Sequence, residues 1–347
     1  GYTERGIRYD ANGNLLAISR TAGGAVSDSL RFTLGGDVLL DVSGTSTGVF
    51  EYDPSGNLVK DGLNRLEFSY NCLNLMQTAE TASGALKAQF TYGSDGRKLS
   101  EKARTGGFEY LGSLIYAYRG GTLSLAQAVT DEGTIQSAGV NYFIRDHLGS
   151  VRAVVDHTGK IVERNDYYPF GGRHENASLP LTGVNRYKFG GKETLEPVSL
   201  DMLDFGARFY DPRIARWNTQ DPLAEKYFSL SPYNYCAGNP ITLVDPTGMV
   251  MDDYRLKKNG EIELMKKTND NYDVIYAENE KGEIDLFNTI SIDRGILSNK
   301  ITGTITPHGK EYSYDAYVLN NNDQAQSLFE FVSDHSDVEW GLSSLAY

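Results

Sequence analysis

At 347 residues the chain is long enough for two domains and a substantial core. Its formal charge of −13 argues against a phosphate-backbone binder, and its apolar runs are too short to cross a bilayer, so neither nucleic acid nor a membrane span is expected. Tyr 23 and Gly 37 against Trp 2 and Cys 2 favour a β-rich protein, because aromatic residues suit a pleated, half-buried surface.

The first hundred residues return repeatedly to an aromatic followed by a small polar turn. The clearest copies are Tyr9-Asp10-Ala11-Asn12-Gly13-Asn14-Leu15 and Tyr52-Asp53-Pro54-Ser55-Gly56-Asn57-Leu58. Looser ones start at Tyr70 and Tyr92, and an eroded one lies around Phe32. Each reads as a strand ending in Tyr, a Gly-containing turn and a second strand starting near Leu. Isolated hairpins cannot bury a face, so the units must join one larger curved sheet with the repeat tyrosines stacked on one side. The chain opens inside such a repeat with Gly1-Tyr2-Thr3-Glu4-Arg5, which is not a signal peptide, and so reads as a fragment or a processed piece.

From Tyr142 the pattern tightens into a strand, a turn at Leu148-Gly149-Ser150 and another strand, and Tyr167-Tyr168-Pro169-Phe170-Gly171 reads as the close of one more strand. His147 and Ser150 are separated by three residues, too little to argue a nucleophile and its base over a polar turn. His174 sits in a polar loop. Cys72 and Cys236 stand in no metal or redox spacing.

Three Asp-Pro pairs follow: Asp211-Pro212, Asp221-Pro222 and Asp245-Pro246. Asp before Pro is ordinary turn chemistry, since the carboxylate accepts local backbone hydrogen bonds while Pro fixes the next φ. Two carboxylates sharing a site, one neutral and one ionised, could instead activate water and protonate a carbonyl or leaving group.

The series of Tyr-Asp hairpins, then Arg145-Asp146-His147-Leu148-Gly149-Ser150, Tyr168-Pro169-Phe170-Gly171, Phe205-Gly206-Ala207-Arg208-Phe209-Tyr210-Asp211-Pro212, Asp221-Pro222-Leu223, Tyr233-Asn234-Tyr235, Gly238-Asn239-Pro240 and Asp245-Pro246-Thr247-Gly248-Met249, resembles the Rhs/YD-repeat family and its Rhs-associated core. The resemblance covers about residues 2 to 249. It implies a mainly β fold, a curved antiparallel hairpin sheet forming part of a hollow shell, with a repeat array over residues 1–141 and the core over 142–249. It further implies a secreted or surface-exposed bacterial scaffold of the polymorphic-toxin type, with its own C-terminal domain, secretion components and an immunity protein as partners. By the same resemblance Arg208, Asp221 and Asp245 match the catalytic residues of self-cleaving members, the cut falling between Met249 and Val250. The repeat array is too short for a full shell. The competing reading is a surface adhesin or carbohydrate-binding module in which the Asp-Pro pairs are only turns.

Composition changes at the same place. Residues 250–347 carry a net −9 and residues 1–249 a net −4, which marks a domain boundary. The tail shows hairpin signals at Asn259-Gly260 and around Gly282, then a helix opened by Asp323 with Ala325, Leu328, Phe329 and Val332 at helical spacing. This α+β tail resembles the front of JAB-like toxin domains through its helix and Asp337-Val338-Glu339-Trp340. It lacks the His-x-His pair such a zinc site requires, and His308 and His335 lie 27 residues apart, so neither a metal nor a cofactor is expected.

Overall fold

The computed structural model describes all residues except 131, 175–184, 196, 197, 199, 227–229, 242, 246, 247, 249–251, 267–271, 280, 281, 283, 294–296, 298, 299, 307–311, 318, 320, 321, 339, 340 and 342–347. It divides into two units, residues 1–249 and 250–347.

The first unit is built on one sheet of 17 strands. From Thr3–Tyr9 to Ile161–Arg164 each strand pairs antiparallel with the next in sequence, a continuous meander that runs without a break through Gly139–Arg145.

The Tyr-Asp repeat has a local cause. In Tyr52–Leu58 the Asp53 Oδ1 accepts the backbone N–H groups of Ser55 and Asn57, both at 2.9 Å, while Gly56 takes φ +78 and donates to the Asp53 carbonyl. Asp10 holds Asn12 and Asn14 in the same way, Asn71 holds Leu73 and Leu75, Asp146 holds Leu148 and Ser150, and Asp156 holds Thr158 and Lys160. A short side-chain acceptor replaces backbone partners lost at the bend. Copies starting at Arg145 and Val155 therefore belong to the series although neither has the tyrosine.

Six copies also share one irregularity. Tyr9 pairs with Leu15 but Arg8 with Ala17, and Tyr52 pairs with Leu58 but Glu51 with Lys60. The same skip occurs after Tyr70, Tyr92, Arg145 and Val155. Each turn thus carries a bulge at one fixed position, which adds twist and bends the strip. Neighbouring copies are linked by hydroxyls: Tyr70 donates to the Leu58 carbonyl at 2.7 Å and Tyr92 to the Met76 carbonyl at 2.8 Å. Tyr52, Tyr70 and Tyr92 all pack against the same core, and the hydroxyl-to-carbonyl bonds tie one copy to the next.

Described residues between Tyr167 and Cys236 pack against the buried face of this strip. Leu30, Phe32, Leu39, Val42, Phe50, Phe68 and Phe90 from the strip share one core with Phe189, Phe205, Phe209, Tyr210, Trp217 and Tyr235. Four two- or three-residue strands, Glu193–Thr194, Leu203–Asp204, Phe209–Asp211 and Arg216–Trp217, form a small antiparallel sheet within this plug. The expected strand at residues 167–171 is a turn instead. Tyr168 and Gly171–Gly172 exchange backbone hydrogen bonds, and Tyr167 makes only an isolated bridge to Arg173.

Ion pairs join strip to plug. Lys98 on the strip reaches Glu193 at 2.8 Å and Asp204 at 2.5 Å, while Arg186 reaches Glu101 on the strip. Arg20 bonds Glu4 at 2.6 Å and donates to the carbonyls of Pro212 and Arg213. Desolvation offsets most of the attraction in such buried pairs, so their consequence is a fixed docking position rather than extra stability.

In the second unit, Asp252–Leu256 pairs with Ile262–Lys266 across Asn259-Gly260, as expected, and also lies parallel to Tyr272–Glu278, which in turn pairs with Ile284–Asp293. Lys300–Ile305 and Tyr312–Tyr317 form a separate hairpin. The helix runs Asn322–His335 and buries Leu328, Phe331 and Val332 against Leu256, Ile275 and Ile292. The fold is thus mainly β with a small α+β unit, and no described helix is long and apolar enough to cross a membrane.

Candidate active site

Arg208, Asp221 and Asp245, 13 and 24 residues apart in sequence, converge. Arg208 precedes the strand Phe209–Asp211, whose core-facing Phe209 and Tyr210 fix where the chain runs, and its side chain is 1% exposed. Nη2 donates to Asp221 Oδ2 at 2.8 Å and to Asp245 Oδ2 at 3.3 Å. Nη1 donates to the Pro232 carbonyl at 3.1 Å, Nε donates to the Gly248 carbonyl at 2.5 Å, and the guanidinium lies 4.2 Å from the Trp217 ring centroid. Arg208 meets both carboxylates through a single nitrogen, because Nε and Nη1 are occupied by backbone carbonyls.

Burial pushes the Arg208 guanidinium below its ordinary range, opposed by Asp221 and Asp245. A guanidinium remains charged through such a shift, so a buried cation sits between two acids. Two carbonyls, two carboxylates and an aromatic face compensate its desolvation.

The turn reading of the aspartates holds as well. Asp221 Oδ1 accepts the Leu223 N–H at 2.8 Å and Asp245 Oδ1 accepts the Gly248 N–H at 2.8 Å. Each acid therefore uses one oxygen to shape its loop and the other to meet Arg208. The third Asp-Pro acid stands elsewhere: Asp211 caps Arg213 and Ile214 and takes no part in this cluster.

Gly248 is held at both ends, its N–H by Asp245 and its carbonyl by Arg208. At φ +69 it lies where side chains are disfavoured, and a Cβ there would meet Phe205 Cβ at 3.0 Å and the Arg208 backbone nitrogen at 3.1 Å. Sequence reading used this glycine only as a motif marker and gave it no role in the site. Trp217, which lies under the guanidinium, was missed because an aromatic in a β-rich chain reads first as core. Met249 and Val250 lie outside the described residues.

Cys236, also unassigned by sequence, lies beside this cluster in a turn where Cys236 and Ala237 both take φ +49. Burial and then the neighbouring Asp245 push its thiol well above the ordinary range, so it is a neutral side chain there.

The remaining candidates are structural. Ser150 Oγ accepts the Gly190 N–H at 2.9 Å, and His147 Nε2 donates to the Ile241 carbonyl at 3.1 Å. His174 stacks on Tyr2 with centroids 4.4 Å apart. His335 Nδ1 donates to the Phe331 carbonyl at 2.8 Å, while His308, Glu339 and Trp340 lie outside the described residues. A cavity of about 520 Å³ bounded by Arg20, Lys188, Arg213 and Tyr168 separates part of the strip from the plug. Three of its cations are committed: Arg20 to Glu4, Lys188 to Glu163 and Arg213 to Asp28.

Comparison with known proteins agrees with this architecture. The Teneurin YD-shell family model matches residues 2–241. The chain is 37% identical over 106 residues to salivary gland surface protein 1 of Aedes aegypti, covering 30% of this chain and 3% of that protein. It is 25% identical over 285 residues to double-stranded DNA deaminase toxin A of Burkholderia cenocepacia, covering 70% and 19%. It is 30% identical over 112 residues to toxin subunit YenC1 of Yersinia entomophaga, covering 32% and 11%. It thus spans less than a fifth of the length of each of these relatives. Among solved structures it is similar to the Photorhabdus luminescens Tc holotoxin pore with mutation TccC3-D651A, with a TM-score of 0.56 and 19% identity over 84% of this chain and 14% of the other. The TcdB2-TccC3-Cdc42 structure gives a TM-score of 0.55 at 19% identity, over 70% and 13%. With its matched residues spanning most of the strip and plug, the chain belongs to the Teneurin YD-shell family of YD-repeat proteins.

Proposed function

We propose that this chain is a piece of a secreted or surface-exposed toxin-type YD scaffold, with a repeat array over 1–141, an associated core over 142–249 and an effector-like unit over 250–347. In this reading the core cuts the Met249–Val250 bond once and so releases the last unit. The observation that carries it is Arg208, one buried guanidinium bonded to both carboxylates and to the carbonyl of Gly248, one residue before that bond.

The proposed step uses one of the two acids protonated and the other ionised, roles that two carboxylates sharing a site can divide between them. In the proposed step the ionised acid takes a proton from water as the water oxygen bonds to the Met249 carbonyl carbon. The protonated acid gives its proton to the carbonyl oxygen; on collapse that proton returns to it, the C–N bond breaks, and the first acid passes the proton it took from water to the Val250 amine. Water is consumed, and a Met249 carboxyl and a Val250 amine are formed. Arg208 holds the acids and the chain ahead of the bond. Because substrate and catalyst are one chain, tethering supplies the effective concentration that a separate enzyme obtains by binding.

The named relatives include toxins and toxin subunits, which supports assembly with other toxin components and protection of the producing cell by an immunity protein. Intact mass of the purified chain tests the reading. A fragment beginning at Val250 is expected, and Asp221→Asn or Asp245→Asn is expected to abolish it while each protein remains folded. Uncut wild-type chain after prolonged incubation would leave a scaffold without the reaction.

A further inference from the structure

The donors of a guanidinium all lie in its plane, and around that plane Arg208 meets two carbonyls and two carboxylates. Those bonds fix its rim but resist little a displacement along the normal to the plane. The Asp245 contact, at 3.3 Å, is the longest of the four and the first to be lost in such a shift. What covers the face is Trp217, whose ring centroid lies 4.2 Å from the guanidinium carbon.

The ring is itself held in place. Trp217 is 1% exposed and pairs with Tyr210 in the small plug sheet. Its indole Nε1 donates to the Asn234 carbonyl at 3.0 Å and its backbone N–H to the Tyr233 carbonyl at 3.2 Å. Phe205 stands edge-on to it, with centroids 4.9 Å apart and planes at 85°, and the rings of Tyr210 and Tyr235 lie at 5.3 and 5.5 Å. The loop that holds the indole also holds the site, because the Pro232 carbonyl accepts both Arg208 Nη1 at 3.1 Å and the Asp221 N–H at 2.9 Å. Phe205 likewise serves both, since its Cβ is the atom that a Cβ on Gly248 would meet at 3.0 Å. Core packing requires volume alone, whereas a ring bonded at its edge and presenting its face to a cation fixes a direction.

We propose that Trp217 is a positioning residue for the cut. Its face sets the height of the Arg208 guanidinium, so that Nη2 reaches Asp221 and Asp245 together while Nε keeps the Gly248 carbonyl. It acts through Arg208 and not on the bond itself. The role rests on the proposed self-cleavage for its consequence, but the stacking behind it is measurable in a chain that stays whole.

Trp217→Phe and Trp217→Leu both lose the indole N–H and leave a smaller side chain, and only Phe keeps an aromatic face. Thermal midpoints are measured first, and cleavage is followed by intact mass well below the lower of them. Trp217→Leu is expected to cut about tenfold or more slower than Trp217→Phe. Equal rates for the two variants overturn the role. The second measurement uses the Asp245→Asn chain, isotope-labelled on arginine nitrogen, with the Arg208 Nε–H resonance assigned by its loss in Arg208→Lys. Over the indole face that proton is shielded and slow to exchange. Adding Trp217→Leu is expected to move it downfield and hasten its exchange with water, and Trp217→Phe to do so less. An unmoved resonance in Trp217→Leu overturns the role even where the wild-type chain cuts. A moved resonance, with a wild-type chain that never cuts, refutes self-cleavage and leaves Trp217 as the residue that orients Arg208. If neither variant folds, the resonance with Trp217 intact decides: a shielded, protected proton supports the role, and an unshielded one overturns it.

Discussion

Replacing Gly248 by Ala tests whether the loop before the proposed scissile bond must be seated on Arg208. The added methyl carbon would stand 3.0 Å from Phe205 Cβ, 3.1 Å from the Arg208 nitrogen and 3.4 Å from Arg208 Cβ. Two of those three atoms belong to Arg208 itself and cannot move without shifting the segment that leads into the strand Phe209–Asp211. The φ of +69 adds its own penalty, about 1–2 kcal/mol for an L residue. Overpacking in a tight site costs about 1–3 kcal/mol. Together, seating the loop is disfavoured by about 2–5 kcal/mol, which lowers the seated population at least about 30-fold. The loop can lift away while the core of the unit stays intact, so the unfolding midpoint should change far less than the cleavage rate. The assay is the time course of the fragment starting at Val250, from purified uncut chain, by mass spectrometry. A Gly248→Ala chain that cuts at the wild-type rate and at the same bond would refute the seating argument, whatever the aspartates do.

Arg208→Lys preserves the charge but offers one ammonium where four acceptors are now served by a planar group, so cleavage should fall by more than 100-fold, measured by the same time course. Asp53→Ala removes a carboxylate that holds Ser55, Asn57 and the Asn57 amide, and the expected loss of about 1–3 kcal/mol should lower the thermal midpoint of the first unit by roughly 5 °C. An unchanged midpoint would show that the Asp side chain is dispensable to the turn. Zinc titration followed by dialysis should leave no stoichiometric metal on residues 250–347, and retained zinc that is lost on His335→Ala would overturn the expectation.

The hairpin array was legible because its turn chemistry is local. An Asp followed two and four residues later by N–H groups needing an acceptor, and a Gly three residues on, can be read from seven letters. The copies at Arg145 and Val155 were harder, because the tyrosine that marks the series is absent while the turn that defines it remains. The bulge one residue past each returning strand's first pair leaves no letter of its own: Leu16, Val59, Gln77, Leu99, Arg152 and Val162 occupy it. Curvature is therefore fixed by turn geometry and not by a residue type. The misread segment at Tyr167–Gly171 has the aromatic content of a strand, but its partners are its own neighbours across a turn. The parallel pairing of Asp252–Leu256 with Tyr272–Glu278 was equally hidden, since an intervening hairpin says nothing of which side the next strand takes.

The candidate site shows why the bland and the sharp readings of an aspartate need not compete. A carboxylate has two oxygens, and in both Asp221 and Asp245 one oxygen caps a loop while the other meets the guanidinium. The cap is what aims the second oxygen: Asp221 Oδ1 bonded to Leu223 leaves Oδ2 a narrow arc, and Arg208 lies within it. Asp211 has the same Asp-Pro sequence and the same cap on Arg213, yet it faces the strip and another acid. Three identical dipeptides therefore carry two different electrostatic situations, decided by which element passes behind the turn. The distinction between them is the buried arginine, and a chain with Asp-Pro turns but no cation in the position of Arg208 would keep this fold and lose the pair.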